Sequence, residues 1–292
     1  MAYIDASGVC KSFPSAGSAL RLRSGPVRRV LRDVSLSVER GGFVSIVGAM
    51  GSGKTTLLGI LAGLLPADNG SVLVGGKPVR EVRRDAAFVF QNYSLLPWFS
   101  ALENVRLAVA AASPGLPRPA QVEQARRALE QVGLGNAINR RPGQLSGGMR
   151  QRVAIARAFA TSPRILFLDE PFGALDALTR ETLQQDLAQL CSSAERPVTT
   201  VMVTNSVEEA ILLSDRIVPM LPGPPATLGS PIAVQLARPR SASQLAYDER
   251  AARVRAHVIG TLTDALVGRP RRGAGRPAET RGSIALAAEE TP

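Results

Sequence analysis

The sequence is poor in the residues that build metal cages and disulfide frameworks. It has two cysteines, Cys10 and Cys191, and a single histidine, His257, in 292 residues. The two cysteines lie far apart in the chain and form no CxxC or Cys/His spacing, which argues against a structural metal and against a disulfide framework. We therefore expect a protein of a reducing compartment.

Long apolar runs and a leader are also missing. The first residues lack the basic start and apolar run of a secretory signal. No stretch approaches the ~18 consecutive apolar residues that a membrane-spanning helix needs. These absences predict a soluble protein of the cytosol that does not cross a membrane by itself.

Aromatic residues make up only 4% of the chain, whereas the net charge is +11. Such a positive balance can indicate a nucleic-acid or an anionic membrane surface as partner. Here the excess is nearly all arginine, scattered along the chain, and it lacks the aromatic residues on which nucleic-acid bases stack. We therefore expect no nucleic-acid partner.

Short apolar runs alternate with helix-like patterns through most of the chain. Residues 43–47, 164–168 and 200–203 are typical of buried strands, and each lies beside helical segments. This alternation predicts parallel strands joined by crossover helices, an α/β fold. Residues 102–135 contain two helix-like segments on either side of a turn cluster, which indicates a mostly helical lobe at about 92–160.

Several segments are expected to be peripheral. Residues 14–30 are rich in Gly, Ser and Arg and indicate an extended loop or hairpin, and residues 219–240 carry prolines that favour strands with loops. Residues 243–267 favour one helix packed on the core, whereas the Pro/Gly/charge mixture that follows is typical of a disordered tail. The expected organisation is a domain at 1–240, a helical extension at 241–267 and the tail at 268–292.

The first chemistry-bearing motif is GAMGSGKT at residues 48–55, which fits GxxxxGK[ST]. It follows a predicted strand and opens a predicted helix, the context that this pattern requires. Glycines let successive backbone N–H groups converge on a phosphate at the positive end of a helix. Lys54 supplies a charge for the β- and γ-phosphates, and the Thr55 hydroxyl ligates Mg²⁺. The predicted nucleotide-binding residues here are Gly48, Met50, Gly51, Ser52, Gly53, Lys54, Thr55 and Thr56.

The second motif is ILFLDE at residues 165–170, an apolar strand that ends in two acids. Such a strand presents its carboxylates at the edge of the sheet where ligands bind in α/β folds. Asp169 would lie near Mg²⁺, and Glu170 would polarise an attacking water. Alone, the pattern also fits a solvated turn, but together with the phosphate-binding motif it favours catalysis.

The third motif is LSGGMRQR at residues 145–152, at the start of a helical run. A Ser-Gly-Gly turn at a helix start can bind an anion. Placed shortly before the DE motif, it resembles the signature motif of ABC-transporter ATPases, and the resemblance spans roughly residues 9–218. It implies a P-loop NTPase with a parallel-sheet core, an N-terminal antiparallel β subdomain and an inserted helical lobe. It also implies a peripheral protein at the cytoplasmic face of the inner membrane.

The same resemblance assigns further roles residue by residue. Gln91 looks like the Q-loop glutamine that joins the two lobes and senses the γ-phosphate and Mg²⁺, and Phe13 looks like the aromatic that stacks on adenine. Two subunits, identical or different, would sandwich ATP between Lys54 of one and the signature motif of the other. The implied catalytic residues are Glu170, Gln91, Lys54 and Asn205, the implied metal ligands are Thr55, Gln91 and Asp169, and the implied signature contacts are Ser146, Gly147 and Gly148.

One position departs from the family pattern. After the strand at 200–203 the family usually has Thr-His-Asp, whose histidine contacts the γ-phosphate, and this chain has Asn205 at the histidine position. An amide can donate a hydrogen bond but cannot be protonated near neutral pH. We therefore expect slower hydrolysis with ATP binding retained. His257 lies in the C-terminal extension and is expected to be a solvent or helix-packing residue.

The segment after Gln91 resembles a particular subgroup. Residues 93–98, from Tyr93 to Trp98, are aromatic and apolar at the surface where, in the family, a coupling helix of the transmembrane permease docks. This segment resembles the nitrate/sulfonate/taurine importers, and residues 212–229 are closest to the nitrate/nitrite/cyanate type. The resemblance implies nitrate as cargo, with sulfonate or taurine next, and a periplasmic binding protein as an indirect partner.

Three interpretations remain open. The first is an active motor of an anion importer. The second is a degenerate regulatory subunit, whose own site is slow while its Ser146 loop completes a fast site on a partner. The third is a soluble ABC ATPase that acts on nucleic acid or ribosomes. Such proteins generally carry two cassettes or large coiled-coil insertions, and this sequence shows neither.

Overall fold

The strands of the computed structural model form two sheets, flanked by helices. The structure describes residues 2–14, 27–173, 175–191 and 197–267. The strands are β1 Ala2–Pro14, β2 Val27–Glu39, β3 Phe43–Val47, β4 Asn69–Val74, β5 Lys77–Pro78, β6 Ala86–Val89, β7 Ile165–Asp169, β8 Thr199–Thr204, β9 Arg216–Leu221, β10 Thr227–Leu228 and β11 Ile232–Ala233. The α-helices are α1 Lys54–Leu61, α2 Ala101–Ala112, α3 Arg118–Gln131, α4 Gly147–Phe159, α5 Ala177–Cys191, α6 Val207–Leu213, α7 Ala242–Tyr247 and α8 Glu249–Val267.

The larger sheet is the parallel core that the sequence predicts. Its strand order is β10-β9-β3-β8-β7-β6, and β11 also pairs with β9. The pairs from β9 to β6 are parallel, and every residue of β3, β7 and β8 is buried. Both faces of these strands are covered, which is why they are largely continuous apolar runs in the sequence. Since parallel strands point the same way, the loops after β3, β7 and β8 open at one edge.

The smaller sheet is antiparallel, in the order β2-β1-β4-β5. The predicted loop or hairpin at 14–30 is in part a strand pair, because Pro14 at the end of β1 pairs with Val27 at the start of β2. Residues 15–26 lie outside the described residues. The small sheet shares a core with α1 and the central sheet, in which Ile4 and Leu57 are fully buried.

Helices α2, α3 and α4 form the helical lobe. Helix α2 begins with a capping box, in which the Ser100 hydroxyl accepts from the Glu103 N–H at 3.2 Å and the Glu103 carboxylate accepts from the Ser100 N–H at 3.0 Å. The apolar sides of the three helices pack into one core with a face of the central sheet. Val105, Leu129 and Ile155 are buried there, one from each helix.

The C-terminal extension differs from the single helix predicted at 243–267. It consists of two helices, α7 and α8, separated at Asp248. The Asp248 carboxylate accepts from the backbone N–H groups of Arg250 at 2.7 Å and Ala251 at 3.0 Å. An aspartate in this role caps a new helix, so the chain turns instead of continuing. The predicted tail at 268–292 lies outside the described residues.

Helix α8 packs onto the domain through a small number of contacts. Ala251 and Val258 are fully buried in the core that also contains the helical lobe. On the same side of α8, Arg255 forms an ion pair with Glu208 of α6 at 2.6 Å. Across the described ranges, no helix has both the length and the hydropathy to cross a membrane.

These contacts predict that α8 contributes to stability. Val258→Asp would place an unpaired carboxylate in the core, so we expect it to lower the free energy of unfolding by about 3 kcal/mol or more. Ile259→Asp is the matched control, since Ile259 is 48% exposed, and should change it by less than about 0.5 kcal/mol. Denaturant unfolding measures both. Equal effects of the two variants would show that α8 does not pack as described.

Candidate active site

The loop between β3 and α1 is built to leave backbone donors open. Gly51 and Gly53 have φ angles of 73° and 98°, a left-handed conformation that favours glycine. Gly53 is the N-cap of α1, so no side chain caps the helix, and the first turn carries no acidic residue. The N–H groups and the positive end of α1 are therefore free of a neutralising side chain and suited to a phosphate.

Lys54 folds back across this loop. Its Nζ donates to the carbonyl oxygens of Gly48 at 2.9 Å and Ala49 at 3.0 Å, and it lies 3.3 Å from Oε1 of Glu170. The Lys54 side chain is 3% exposed, so a full positive charge is held almost out of solvent. A buried ammonium needs such partners, and the arrangement keeps its charge at the mouth of the loop.

Asp169 and Thr55 meet across the gap between β7 and α1. The Thr55 hydroxyl donates to Oδ1 of Asp169 at 2.9 Å. Burial is the main cause that raises the pKa of Asp169 above its ordinary value, and the charge of Glu170 adds to the rise. The hydrogen bond from Thr55 and the charge of Lys54 act in the opposite direction.

Glu170 connects the second motif with Gln91. Its Oε1 faces Lys54, and its Oε2 accepts a hydrogen bond from Nε2 of Gln91 at 3.3 Å. Its φ angle is 43°, a left-handed conformation that is uncommon for glutamate, and its backbone N–H donates to Val203 of β8 at 2.9 Å. Strained backbone of this kind is concentrated at functional sites, and here it directs the carboxylate toward Lys54.

One cavity of about 340 Å³ contains most of the predicted nucleotide-binding residues. Phe13 lies in it, directly opposite Arg28 across the β1–β2 pair. Arg28 and Val30 line the cavity without having been predicted, since only the strand register shows that they share a face with Phe13. The other lining residues are Met50, Gly51, Gly53, Lys54, Thr55, Thr56, Gln91 and Glu170.

Gly48 and Ser52 are not among the residues that line this cavity. A Cβ on Gly48 would come within 3.0 Å of Met220, so the backbone there is closely packed. The Ser52 hydroxyl is buried and has no hydrogen-bond partner in the described part of the chain. A buried hydroxyl without a partner is costly, and a phosphate oxygen in the loop would supply one.

The signature residues lie elsewhere in the chain. Ser146 caps α4 by accepting from the Met149 N–H at 3.2 Å. Ser146 and Gly148 line a second cavity, of about 310 Å³, with Thr179 of α5. A Cβ on Gly148 would lie 2.4 Å from Cγ2 of Thr179, so only glycine fits against α5. Within one chain, the structure does not bring Ser146, Gly147 and Gly148 into the cavity of Lys54.

Asn205 is exposed and does not line the cavity of Lys54. Across the described ranges its side chain makes no hydrogen bond. The preceding residue, Thr204, is close to the loop, since its carbonyl accepts from the Gly48 N–H at 3.4 Å. Its hydroxyl also donates to the Glu209 carboxylate at 2.6 Å, and burial raises the pKa of Glu209. Like Arg28 and Val30, Glu209 was not predicted from the sequence; it holds the turn that carries Asn205.

The metal ligands inferred from the sequence form a small set. Thr55 and Asp169 are in contact. Gln91 lies in the same region, since its Nε2 donates to Glu170, the residue that follows Asp169. No group of three or more His, Cys, Asp or Glu that could hold a metal was found in the residues that the structure describes. Such a set fits Mg²⁺, which keeps several waters and binds through one or two protein oxygens plus substrate phosphates.

The fold and this site define a class of protein. A parallel sheet carries a glycine-rich loop that opens a helix, with a buried lysine at the start of that helix and two acids at the end of another strand of the same sheet. This is the arrangement of P-loop nucleotide-binding proteins, which hold phosphates on the loop and a divalent cation beside it.

Comparisons with known proteins identify the family within this class. A sequence model of the ABC transporter family matches residues 31–173. The nitrate import ATP-binding protein NrtD of Synechococcus elongatus is 44% identical over 250 residues, 86% of this chain and 90% of that protein. The bicarbonate transport ATP-binding protein CmpD of Synechocystis sp. is 41% identical over 261 residues, 89% of each. A solved dimeric, post-hydrolysis structure of the ATP-binding cassette MJ0796 bound to ADP and Pi matches with a TM-score of 0.69 and 31% identity, over 80% of this chain and 100% of that one. The chain belongs to the ABC transporter family, as one of its ATP-binding proteins.

The raised pKa of Asp169 predicts a pH-dependent cost to the stability of the folded protein. Because the folded state disfavours the carboxylate, stability falls as pH rises from the ordinary pKa of 3.8 through the raised one. Asp169→Asn removes this charge and should raise the thermal midpoint at neutral pH. Its advantage should shrink toward acid pH, where Asp169 is protonated. A variant less stable than the parent at pH 7 would contradict this.

Proposed function

We propose that this chain binds ATP with Mg²⁺, hydrolyses it and thereby energises an ABC importer of a small anion, with nitrate as the first candidate. The observation that carries the ATPase part is the convergence of Lys54, Glu170 and Gln91 beside the Thr55–Asp169 pair. The named nitrate and bicarbonate relatives support the anion class. Nitrate and bicarbonate are both small planar oxyanions. The relatives therefore support a small oxyanion as the cargo more strongly than they support nitrate over bicarbonate.

In this proposal the loop and Lys54 hold the triphosphate. The β- and γ-phosphates lie against the N–H groups of residues 51–56, and Lys54 exchanges its contacts with Gly48 and Ala49 for phosphate oxygens. Phe13 stacks on adenine at the far end of the cavity, and Arg28 adds a second positive charge there.

Glu170 is the proposed catalytic base, and Gln91 orients the same water. The Glu170 carboxylate is engaged by Lys54 and Gln91. When Lys54 turns to the γ-phosphate, one carboxylate oxygen is released and can accept a proton from the attacking water. Thr55, Asp169 and Gln91 would hold Mg²⁺, which supplies positive charge against the phosphate oxygens.

A second subunit is needed to complete the site. Ser146 and Gly148 line a cavity separate from that of Lys54, and the α4 N-terminus they form is suited to an anion. In a head-to-tail dimer the signature of one chain closes over the ATP of the other. The dimeric solved cassette supports this arrangement, and either an identical or a different partner fits it.

The permease surface is proposed at residues 93–98. Trp98 is 62% exposed, an unusual position for the largest apolar side chain unless a partner covers it. A coupling helix of a transmembrane permease would bind there, which would hold this chain at the cytoplasmic face of the membrane. The periplasmic binding protein would act on it only through the permease.

Asn205 supports a second candidate, a slow regulatory subunit of a heterodimer. Asn205 is exposed and lies one residue beyond the strand end that contacts the loop. It can donate a hydrogen bond to a γ-phosphate but carries no titratable proton. A site with asparagine here would bind ATP and hydrolyse it slowly, while its Ser146 loop completes the partner's site.

Steady-state ATPase activity separates these roles. Glu170→Gln should lower kcat by on the order of 10²-fold or more with ATP binding retained, because it removes the base and keeps the shape.

Asn205→His should raise kcat at least about threefold, by adding a donor at the γ-phosphate. Glu123→Gln is the matched control, since Glu123 lies on the exposed side of α3. A histidine variant no faster than the parent would show that Asn205 is not a handicap.

Reconstitution with the cognate permease tests the cargo. We expect ATP hydrolysis in vesicles to rise several-fold when the binding protein is loaded with nitrate, and less with bicarbonate or taurine. Preference for another anion would change the cargo and leave the ATPase proposal intact. Co-purification of the chain with ribosomes or DNA, and never with a permease, would overturn the transport proposal.

A further inference from the structure

The loop that follows Gln91 is held by an arginine of the signature helix. Arg157, in the last turn of α4, donates from one terminal nitrogen to the carbonyl of Ser94 at 2.5 Å and from the other to the carbonyl of Tyr93 at 2.8 Å. A planar guanidinium can hold two neighbouring carbonyls at once, which an ammonium cannot do with the same geometry. Burial lowers the pKa of Arg157, consistent with a head group withdrawn from solvent.

The two residues held in this way have strained backbones. Tyr93 and Ser94 have φ angles of 64° and 46°, a left-handed conformation unusual for residues with a side chain. Such a conformation persists only where the surroundings over-determine it. Besides Arg157, the Tyr93 ring has the guanidinium of Arg150, which belongs to the LSGGMRQR motif, 5.5 Å from its centre. Two arginines of α4 thus fix one turn.

This turn joins two places that the proposed function treats separately. On one side, Gln91 reaches Glu170 at 3.3 Å. On the other, the chain continues directly to the exposed Trp98. Arg157 also lines a cavity of about 290 Å³ between β6 and α2, together with Phe88 and Ala108, so it touches both the turn and the groove beside it.

We propose that Arg157 is a positioning residue that makes the turn at Tyr93 and Ser94 rigid, so that movement of Gln91 in the ATP site is passed to the surface at Trp98. The proposal rests on the proposed function, since it assumes that Gln91 changes partners when ATP binds. Without the two hydrogen bonds the turn keeps its local bonds to Phe90 and Asn92 and the contact with Arg150, but its carbonyls lose their anchor on the last turn of α4, so the turn is held less rigidly. Gln91 and Trp98 then move independently.

Trp98 is the only tryptophan of the chain, so the protein carries its own reporter at the right place. In the parent, a non-hydrolysable ATP analogue with Mg²⁺ should shift the Trp98 fluorescence. Arg157→Met keeps the length and the apolar contacts of the side chain and removes its donors. It should abolish the shift, keep the nucleotide Kd within about threefold, and lower kcat about tenfold with KM unchanged.

Two further variants control the experiment. Arg127→Met removes an arginine whose side chain is 71% exposed on α3, and it should keep the full shift. Arg157→Lys keeps the charge and one donor, so it should give a shift and a kcat between those of the parent and the methionine variant. If the methionine variant fails to fold, the lysine variant alone still tests the role of Arg157.

The outcomes distinguish a failure of the proposed function from a failure of the proposed role of Arg157. A parent that binds no nucleotide would refute the proposed function itself. A parent that binds the analogue without a Trp98 shift would overturn the role of Arg157, and so would a normal shift and kcat in both Arg157 variants. An Arg157→Met protein that loses nucleotide affinity in the same proportion as kcat would also overturn it, because Arg157 would then only shape the binding site.

Discussion

The parallel pairing of β3 with β8 and of β8 with β7 is the constraint on which the rest of the structure depends. It brings three chain segments that are more than 30 residues apart to one edge of the sheet. Two backbone hydrogen bonds bind the strand ends together there, from Gly48 to Thr204 and from Glu170 to Val203. The pairing therefore places the phosphate loop, the two acids and the turn of Asn205 close together at one edge of the sheet, which is where ligands bind in open α/β sheets.

The charges at this edge are arranged for an exchange of partners. Lys54 is almost fully buried, and its contacts are two loop carbonyls and one carboxylate, all of which a phosphate can replace. Glu170 is engaged twice and can be released by the same event. Burial raises the pKa of both Asp169 and Glu209. The site thus keeps buried charges at some cost to stability, which is typical of a functional cluster.

Much of the fold and of the candidate site was predictable because the signals are local. A buried parallel strand is apolar at consecutive positions, and a phosphate loop needs its glycines and lysine within a few residues, so β3, β7, β8 and the loop at 48–55 follow from short windows. The split at Asp248 was missed, although an aspartate ahead of a helical run is a capping signal. The residues on both sides of Asp248 have a helical periodicity, and this pattern favoured one continuous helix over a break at a single aspartate.

The sequence by itself determined the class of the protein and its motifs, since each motif is written in a continuous stretch of chain. Only the tertiary structure decided which distant residues act together. Arg28 faces the cavity because of the β1–β2 register, Glu209 holds the turn of Asn205, and Arg157 reaches Tyr93 from 64 residues away. The physical reason is that hydrogen bonds and charges act over a few ångströms in space, whereas sequence patterns report only what is near along the chain.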